Sequence, residues 1–386
     1  MKKFLLCSLS IFLINVNTKP QNNVSITILV KSNNVPLDSS VFITGNDEKL
    51  GNWQPDLVKL NKNEKGEWSK SFTFKKGKKL EFKITLGSWG AEALNDDGSI
   101  PPNYRIEVLT DTTIEINVKL WGNMIEKKIE GQITGIVKYH HNLRGVGIRP
   151  RDVIVWLPPF YFIEHEKRYP VLYIHDGQNI VDPRTSTFQI DWQIDEIADS
   201  LIRKGLIDAI IIVGIYNTTD RNSEYAENDT GYAYMNFIVD SLKPFIDKNY
   251  RTLPDKKNTA TAGSSLAGLI SFMLAWEHDQ VFSMSSCISP AFKIGRYNFV
   301  DNVESYKGKK KDIKIYIDNG DNELDTKLQS GIDEMLTALK AKGFVKGKDY
   351  YFYKEINSLH SEKAWAKRMW RSLIFFFGTE KGRKLL

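Results

Sequence analysis

The chain has 386 residues, 41% of them apolar and 26% charged, and its formal charge is +6. That length exceeds one ordinary core and predicts two domains or more, with enough apolar residues for well-packed interiors. The charge is modest, and the lysine clusters KKGKK (75–79) and KGKKK (307–311) sit in turn-like contexts without interleaved aromatics, which argues against nucleic acid as a partner.

The chain opens MKKFLLCSLSIFLINVNTKPQ, two lysines followed by an apolar stretch from Phe4 to about Val16 and then polar residues. This is the pattern of a secretory signal peptide over residues 1–19, too short to span a bilayer as a mature helix. Cys7 precedes most of the apolar stretch, so a lipoprotein signal is not met. The mature protein is therefore expected to be secreted or periplasmic and to make no use of a membrane. Beyond the signal only Cys287 remains; it has no disulfide partner and is expected in a buried strand, so stability must come from core size.

Residues 23–121 alternate with period two. VSITILV, VFITG, EWSKSFTF, LEFKITL, YRIEVL and TTIEINVKLW are short strands parted by Asn, Asp, Gly and Pro clusters, which predicts a small all-β sandwich. The charged segment 122–131 carries no pattern and is placed as a linker.

From residue 132 the period changes. Apolar strands (VIVWLPP, VLYIHDG, DAIIIVGI, TATAG, FSMSSCIS, IKIYID, DYYFYKEI) alternate with helical segments. Among these, WQIDEIADSLIRKG carries the stripe Ile194, Ile197, Ala198, Leu201 and Ile202. Such alternation over 132–386 specifies an α/β domain with a mostly parallel sheet covered on both faces, and ligands bind at the carboxyl ends of its strands.

One strand-to-helix loop is NTATAGSSLAGLISFMLAW (258–276). A nucleophile on such an elbow adopts a strained backbone, and small residues two before and two after relieve the crowding. Those positions are Gly263 and Ala267 for Ser265, but Ala262 and Leu266 for Ser264, so Ser265 is the candidate, with Ala267 where the motif has glycine. Taken alone, the turn is equally a helix N-cap.

A serine nucleophile needs a histidine base oriented by a carboxylate, following in the order serine, acid, histidine on later loops. His140, His141, His165 and His175 precede the elbow and His278 ends its helix, which leaves His360, in the loop before the last helix. The acid is expected after IKIYID, in DNGDNELD. Asp318 belongs to the strand end and Asp325 reads as the N-cap of the next helix, while spacing does not separate Asp321 from Glu323. The oxyanion donors are expected to be the N–H of Leu266 and that of Gly177 or Gln178 in HDGQN. No metal or organic cofactor is implied.

Together RDVIVWLPPFY, YPVLYIHDGQN, AGSSLAG, IYIDNGDNE and the histidine before SEKAW resemble the α/β-hydrolase esterases of the enterochelin-esterase and feruloyl-esterase type, over about residues 130–380. The resemblance implies an α/β-hydrolase fold, and it implies Glu323, three residues after the loop glycine, as the acid. DRNSEYAE resembles a segment that lines the substrate cleft in that family, which implies Arg221 and Tyr225 as substrate contacts. Residues 23–121 are similar to the starch-binding type of carbohydrate-binding module, family 20, through VFITGNDEKLGNW, GEWSKSFTF, LEFKITLGSW and NDDGSIPPN. That resemblance implies Trp53 and Trp89 as sugar-stacking faces and Trp68 as a core residue. The expected function is an exported serine esterase acting on an acylated carbohydrate of acetyl or feruloyl type, with glucan binding through the N-terminal domain. A siderophore ester, a peptide-like acyl substrate and a non-catalytic glycan-binding protein on a hydrolase scaffold are the alternatives.

Overall fold

In a computed structural model of the chain, residues 23–36, 38–122 and 131–386 are described. The expected signal peptide and most of the expected linker lie outside them. The chain divides into two units, residues 1–128 and 129–386.

The first unit is built on strict alternation. In Asn23–Lys31 the inward positions are Val24, Ile26, Ile28 and Val30, with partly exposed residues between them. This strand pairs with Trp68–Lys75 on one side and Thr112–Asn117 on the other, forming a four-stranded sheet with Asn61–Lys62. A second four-stranded sheet runs in the order Val58–Lys59, Phe42–Gly45, Lys79–Thr85, Tyr104–Glu107. The two sheets close on one core that contains Trp68, Phe72, Phe74, Phe82 and Trp121, a sandwich as the pattern predicts.

The second unit carries an eight-stranded sheet: β1 (Ile136–Leu143), β2 (Arg151–Leu157), β3 (Val171–His175), β4 (Ile211–Ile215), β5 (Thr259–Ser264), β6 (Met284–Ile288), β7 (Lys314–Asn319) and β8 (Tyr350–Lys354). Its order is β1-β2-β4-β3-β5-β6-β7-β8. The first two strands pair antiparallel, β2 meets β4 antiparallel, and all the rest are parallel. Alternate residues feed two cores. Val171, Tyr173, Ile211 and Val213 point to one face, Leu172, Ile174 and Ile212 to the other.

Helices α1 (Ile194–Arg203) and α5 (Glu362–Phe377) cover the second face, where Ala198 and Leu201 meet Met369 and Leu373. Helices α3 (Leu266–Glu277) and α4 (Leu324–Ala341) lie on the first. Helix α3 is apolar around nearly its whole circumference and is buried from Ala267 to Trp276, the reason its sequence lacks an amphipathic stripe. The helical segment after β4 is not one continuous element: α2 (Asp229–Phe237) passes through a π-helical turn, Ile238–Leu242, into Lys243–Asn249. Pro244, which lacks an N–H, sits where the helix resumes, so the wider turn absorbs the missing bond. Cys287 lies fully buried in β6, as expected.

Candidate active site

The elbow after β5 has the strain expected of it. Ser264 is still strand and is buried, whereas Ser265 has φ 58° and ψ −122°, a region that L-residues rarely occupy. Ser265 and Leu266 are partly exposed between buried neighbours. A Cβ on Gly263 would stand 2.5 Å from the Ala267 carbonyl oxygen and 2.6 Å from the Ala267 Cβ, so the turn closes only with glycine at 263.

Two hydrogen bonds fasten the elbow to the end of the neighbouring strand: Ser265 N–H donates to Ile288 O at 2.9 Å, and Ala291 N–H donates to Ser265 O at 3.0 Å. Inside that stitched turn Ser289, with φ 41°, donates its hydroxyl to Asp325 Oδ2 at 3.1 Å. Asp325 Oδ1 in turn lies 2.6 Å from His360 Nδ1. The elbow, the carboxylate and the imidazole are therefore joined along the carboxyl edges of β5, β6, β7 and β8.

Here the structure corrects the expected acid. Glu323 is exposed and occupies the N-cap of α4 with φ 50°, and Asp321 Oδ1 accepts the Ser358 N–H. Asp325, read from sequence as the helix cap, is the second residue of α4 and fully buried. Helical side chains tilt toward the N-terminus, so a residue one step inside the helix points back over the strand end, which the cap does not. Asp325 also accepts the Gly320 N–H at 2.9 Å, leaving both its oxygens bonded.

Further residues hold this pair that sequence reasoning passed over. The buried Arg368 donates to Ser289 Oγ at 2.8 Å and Ser358 Oγ at 2.7 Å and lies 3.2 Å from Asp318. Trp365 meets the His360 ring edge-on, centroids 4.9 Å apart, and its Nε1 donates to Ser289 Oγ. A signal existed: Arg368 falls on the buried face of α5 beside Trp365 and Met369, and a charge there requires an internal partner.

Across the cleft, Asp176 (φ 58°) opens a 3-10 turn, Gly177–Asn179. A Cβ on Gly177 would meet the Gly214 backbone at 2.3 Å, so its close approach is to β4 rather than to a ligand. Among the described residues, the N–H groups of Leu266, Gly177 and Gln178 have no hydrogen-bond acceptor. Arg221 grips Asp176 with two bonds, 2.8 and 2.7 Å, joined by Asn217 Nδ2 at 2.6 Å and Tyr225 Oη at 3.2 Å. Tyr225 is fully buried, which corrects its expected place as a substrate contact: it and Arg221 brace the turn. The Arg221 side chain stays partly exposed.

Burial shifts two of the histidines outside this cluster. His175 is enclosed between Tyr234 Oη (2.7 Å) and Thr261 Oγ1 (3.2 Å), and burial lowers it to about 3, so it stays neutral. Burial also lowers His278. Glu362, beside His360 in the first turn of α5, is raised to about 7 by burial, with Asp176 adding to the rise and Arg221 opposing it.

In the first unit Trp53 and Trp89 stand side by side, ring centroids 6.4 Å apart and planes inclined by 31°, both partly exposed. Trp68 is buried in the core.

Comparison with known proteins identifies the family and the fold. The model of the "Putative esterase" family matches residues 148–376, more than half of the chain, and that of the "Starch binding domain" matches residues 23–121. An endo-1,4-beta-xylanase/feruloyl esterase of Xylanibacter ruminicola is 30% identical over 180 residues, 46% of this chain but only 23% of that longer protein. A ferulic acid esterase structure superposes with TM-score 0.53 at 20% identity, over 64% of this chain and 98% of that one. The enterobactin esterase FES of Shigella flexneri superposes with TM-score 0.52 at 11% identity, over 90% of this chain and 89% of its own. At these identities the structural likeness carries the fold, an α/β hydrolase behind an all-β domain.

Proposed function

The chain belongs to the Putative esterase family of carboxylic ester hydrolases, and on that premise we propose that it is an exported serine esterase that cleaves acyl groups from carbohydrate, by a triad of Ser265, His360 and Asp325. The observation that carries the triad is the 2.6 Å Asp325–His360 bond, formed at the same sheet edge where Ser265 stands in its strained conformation.

With Nδ1 held by Asp325, the imidazole presents Nε2 as a base. Ser265 Oγ gives its proton to Nε2 as it adds to the ester carbonyl, and Asp325 stabilises the imidazolium that forms. The carbonyl oxygen becomes an oxyanion facing the free N–H of Leu266 and those of Gly177 and Gln178. Collapse breaks the bond to the alcohol oxygen, which leaves as the hydroxyl after taking the proton from His360. Water then attacks the acyl-enzyme by the same route and regenerates Ser265.

Carbohydrate as the alcohol is supported by the starch-binding match at residues 23–121 and by the feruloyl esterase named among the relatives. Trp53 and Trp89 offer the apolar ring faces on which a pyranose stacks. The N-terminal residues, read as a signal peptide, support export. A panel of feruloylated and acetylated oligosaccharides, simple aryl esters and a siderophore ester tests the assignment. Hydrolysis of the saccharide esters by the wild type and not by Ser265→Ala is expected. Turnover of the siderophore ester alone would redirect the substrate class, and turnover of none would remove the esterase reading.

A further inference from the structure

Three carboxylates converge where the loop after β3 enters α1. Asp191 belongs to the loop and Asp195 and Glu196 to the first turn of the helix; one oxygen from each lies within 4.8 Å of the other two. Asp195 is fully buried and Asp191 nearly so. The donors that reach them occupy one oxygen apiece: Thr134 N–H on Asp195 Oδ2 (2.7 Å), Gln132 Nε2 on Glu196 Oε1 (2.8 Å) and Gln193 N–H on Asp191 Oδ2 (3.1 Å).

Two other oxygens are sealed from solvent with no donor at all, Asp195 Oδ1 and Glu196 Oε2. Helix-dipole complementarity accounts for acids in a first turn, but not for acids that bury acceptors against one another. The guanidinium of Arg184 is committed to Asp182 at 2.7 Å.

We propose that Asp191, Asp195 and Glu196 form a structural site for a hard divalent cation, Ca2+ in preference to Mg2+. The donors are all oxygen, which selects against softer metals. Three protein carboxylates are more than Mg2+, which keeps several of its waters, usually takes, whereas Ca2+ accepts about six to eight oxygens in a flexible geometry. The ion answers the two unpaired acceptors, and water completes its shell.

Its place gives it a task distinct from ester chemistry. Trp192 N–H donates to Asn179 O at 2.9 Å and Ile194 N–H to Ile180 O at 3.1 Å, so Asp191 closes the same loop that carries Gly177 and Gln178. An ion held between Asp191 and α1 locks that loop to the helix.

The test uses the full chain after treatment with a chelator. Millimolar Ca2+ is expected to raise the thermal midpoint by about 5 °C, and Mg2+ by less. Tb3+, excited through the adjacent Trp192, is expected to luminesce and to be displaced by Ca2+. Both responses should vanish in Asp195→Asn, whose ion-free midpoint should equal or exceed that of the wild type because one buried charge is gone. If that variant does not fold, Glu196→Gln and the wild-type Tb3+ displacement decide. A midpoint unmoved by either ion overturns the site, as does an ion effect undiminished in the variants. Stabilisation by falling pH without any ion effect would mean a shared proton instead, and a response to Mg2+ alone would overturn the choice of ion.

Discussion

Asp325 Oδ1 lies 2.6 Å from His360 Nδ1 although Glu323, two residues earlier, sits at the spacing the family resemblance implies. Glu323 ends the loop as an exposed cap, while Asp325 lies one step inside α4 and receives both Ser289 and Gly320 on its remaining oxygen. An imidazole needs a buried acceptor that cannot swing away, and only the second position provides one.

Asp325→Asn should therefore lower kcat/KM on a simple aryl ester by about 10³–10⁴-fold, since an amide no longer enforces the tautomer that leaves Nε2 basic. Glu323→Gln should remain within about threefold of the wild type, having no part in that network. Equal losses in the two variants would reject the assignment.

Gly263 packs directly against the backbone of Ala267 at the elbow. Adding a methyl at 263 forces contacts of 2.5 Å with the Ala267 carbonyl oxygen and 2.6 Å with its Cβ, so Gly263→Ala should destabilise by about 1–3 kcal/mol in urea unfolding. Ala267→Gly only removes a methyl from a helix, at a cost of about 1 kcal/mol, and should keep its ester hydrolysis. The double variant Gly263→Ala, Ala267→Gly should regain little of the loss, because the contact with the residue 267 carbonyl remains.

Glu362 makes stability depend on pH with a defined sign. Its carboxyl is raised to about 7 from an ordinary 4.5, so between these values the folded protein keeps a proton that the unfolded chain releases. The contribution is complete below 4.5 and is lost as pH rises through about 7. Glu362→Gln should match the wild type in acid and exceed its stability in mild alkali by about 1–3 kcal/mol. Urea midpoints at the two pH values measure this; a difference independent of pH contradicts it.

Trp53→Ala combined with Trp89→Ala should cut retention on insoluble starch by about tenfold, the scale expected for two lost stacking faces. Hydrolysis of a small soluble ester should not change. Undiminished retention would leave the sandwich without a sugar role through these rings.

Much of the architecture is legible in the chain because both periods are strong. Val24 to Val30 alternate through the sandwich core, and the apolar runs of β3, β4 and β5 are long enough only for strands covered on both faces. The elbow was legible through the small residues around Ser265, and His360 through chain order. Asp325 was not, since an aspartate at a helix start reads equally as a cap, and which residue of a tight loop turns inward depends on a φ of 50° at Glu323. Tyr225 and Arg221 were placed near the cleft, but their engagement with Asp176 depends on that residue's own left-handed turn, which no periodicity signals.

Nucleophilic attack by Ser265 has the most direct test, reaction of the full chain with a fluorophosphonate probe followed by mass mapping of the adduct. Catalysis by Ser265 predicts stoichiometric labelling of that serine, lost in Ser265→Ala and slowed strongly in Asp325→Asn. An unlabelled wild type, or an adduct that persists in Ser265→Ala, would contradict it.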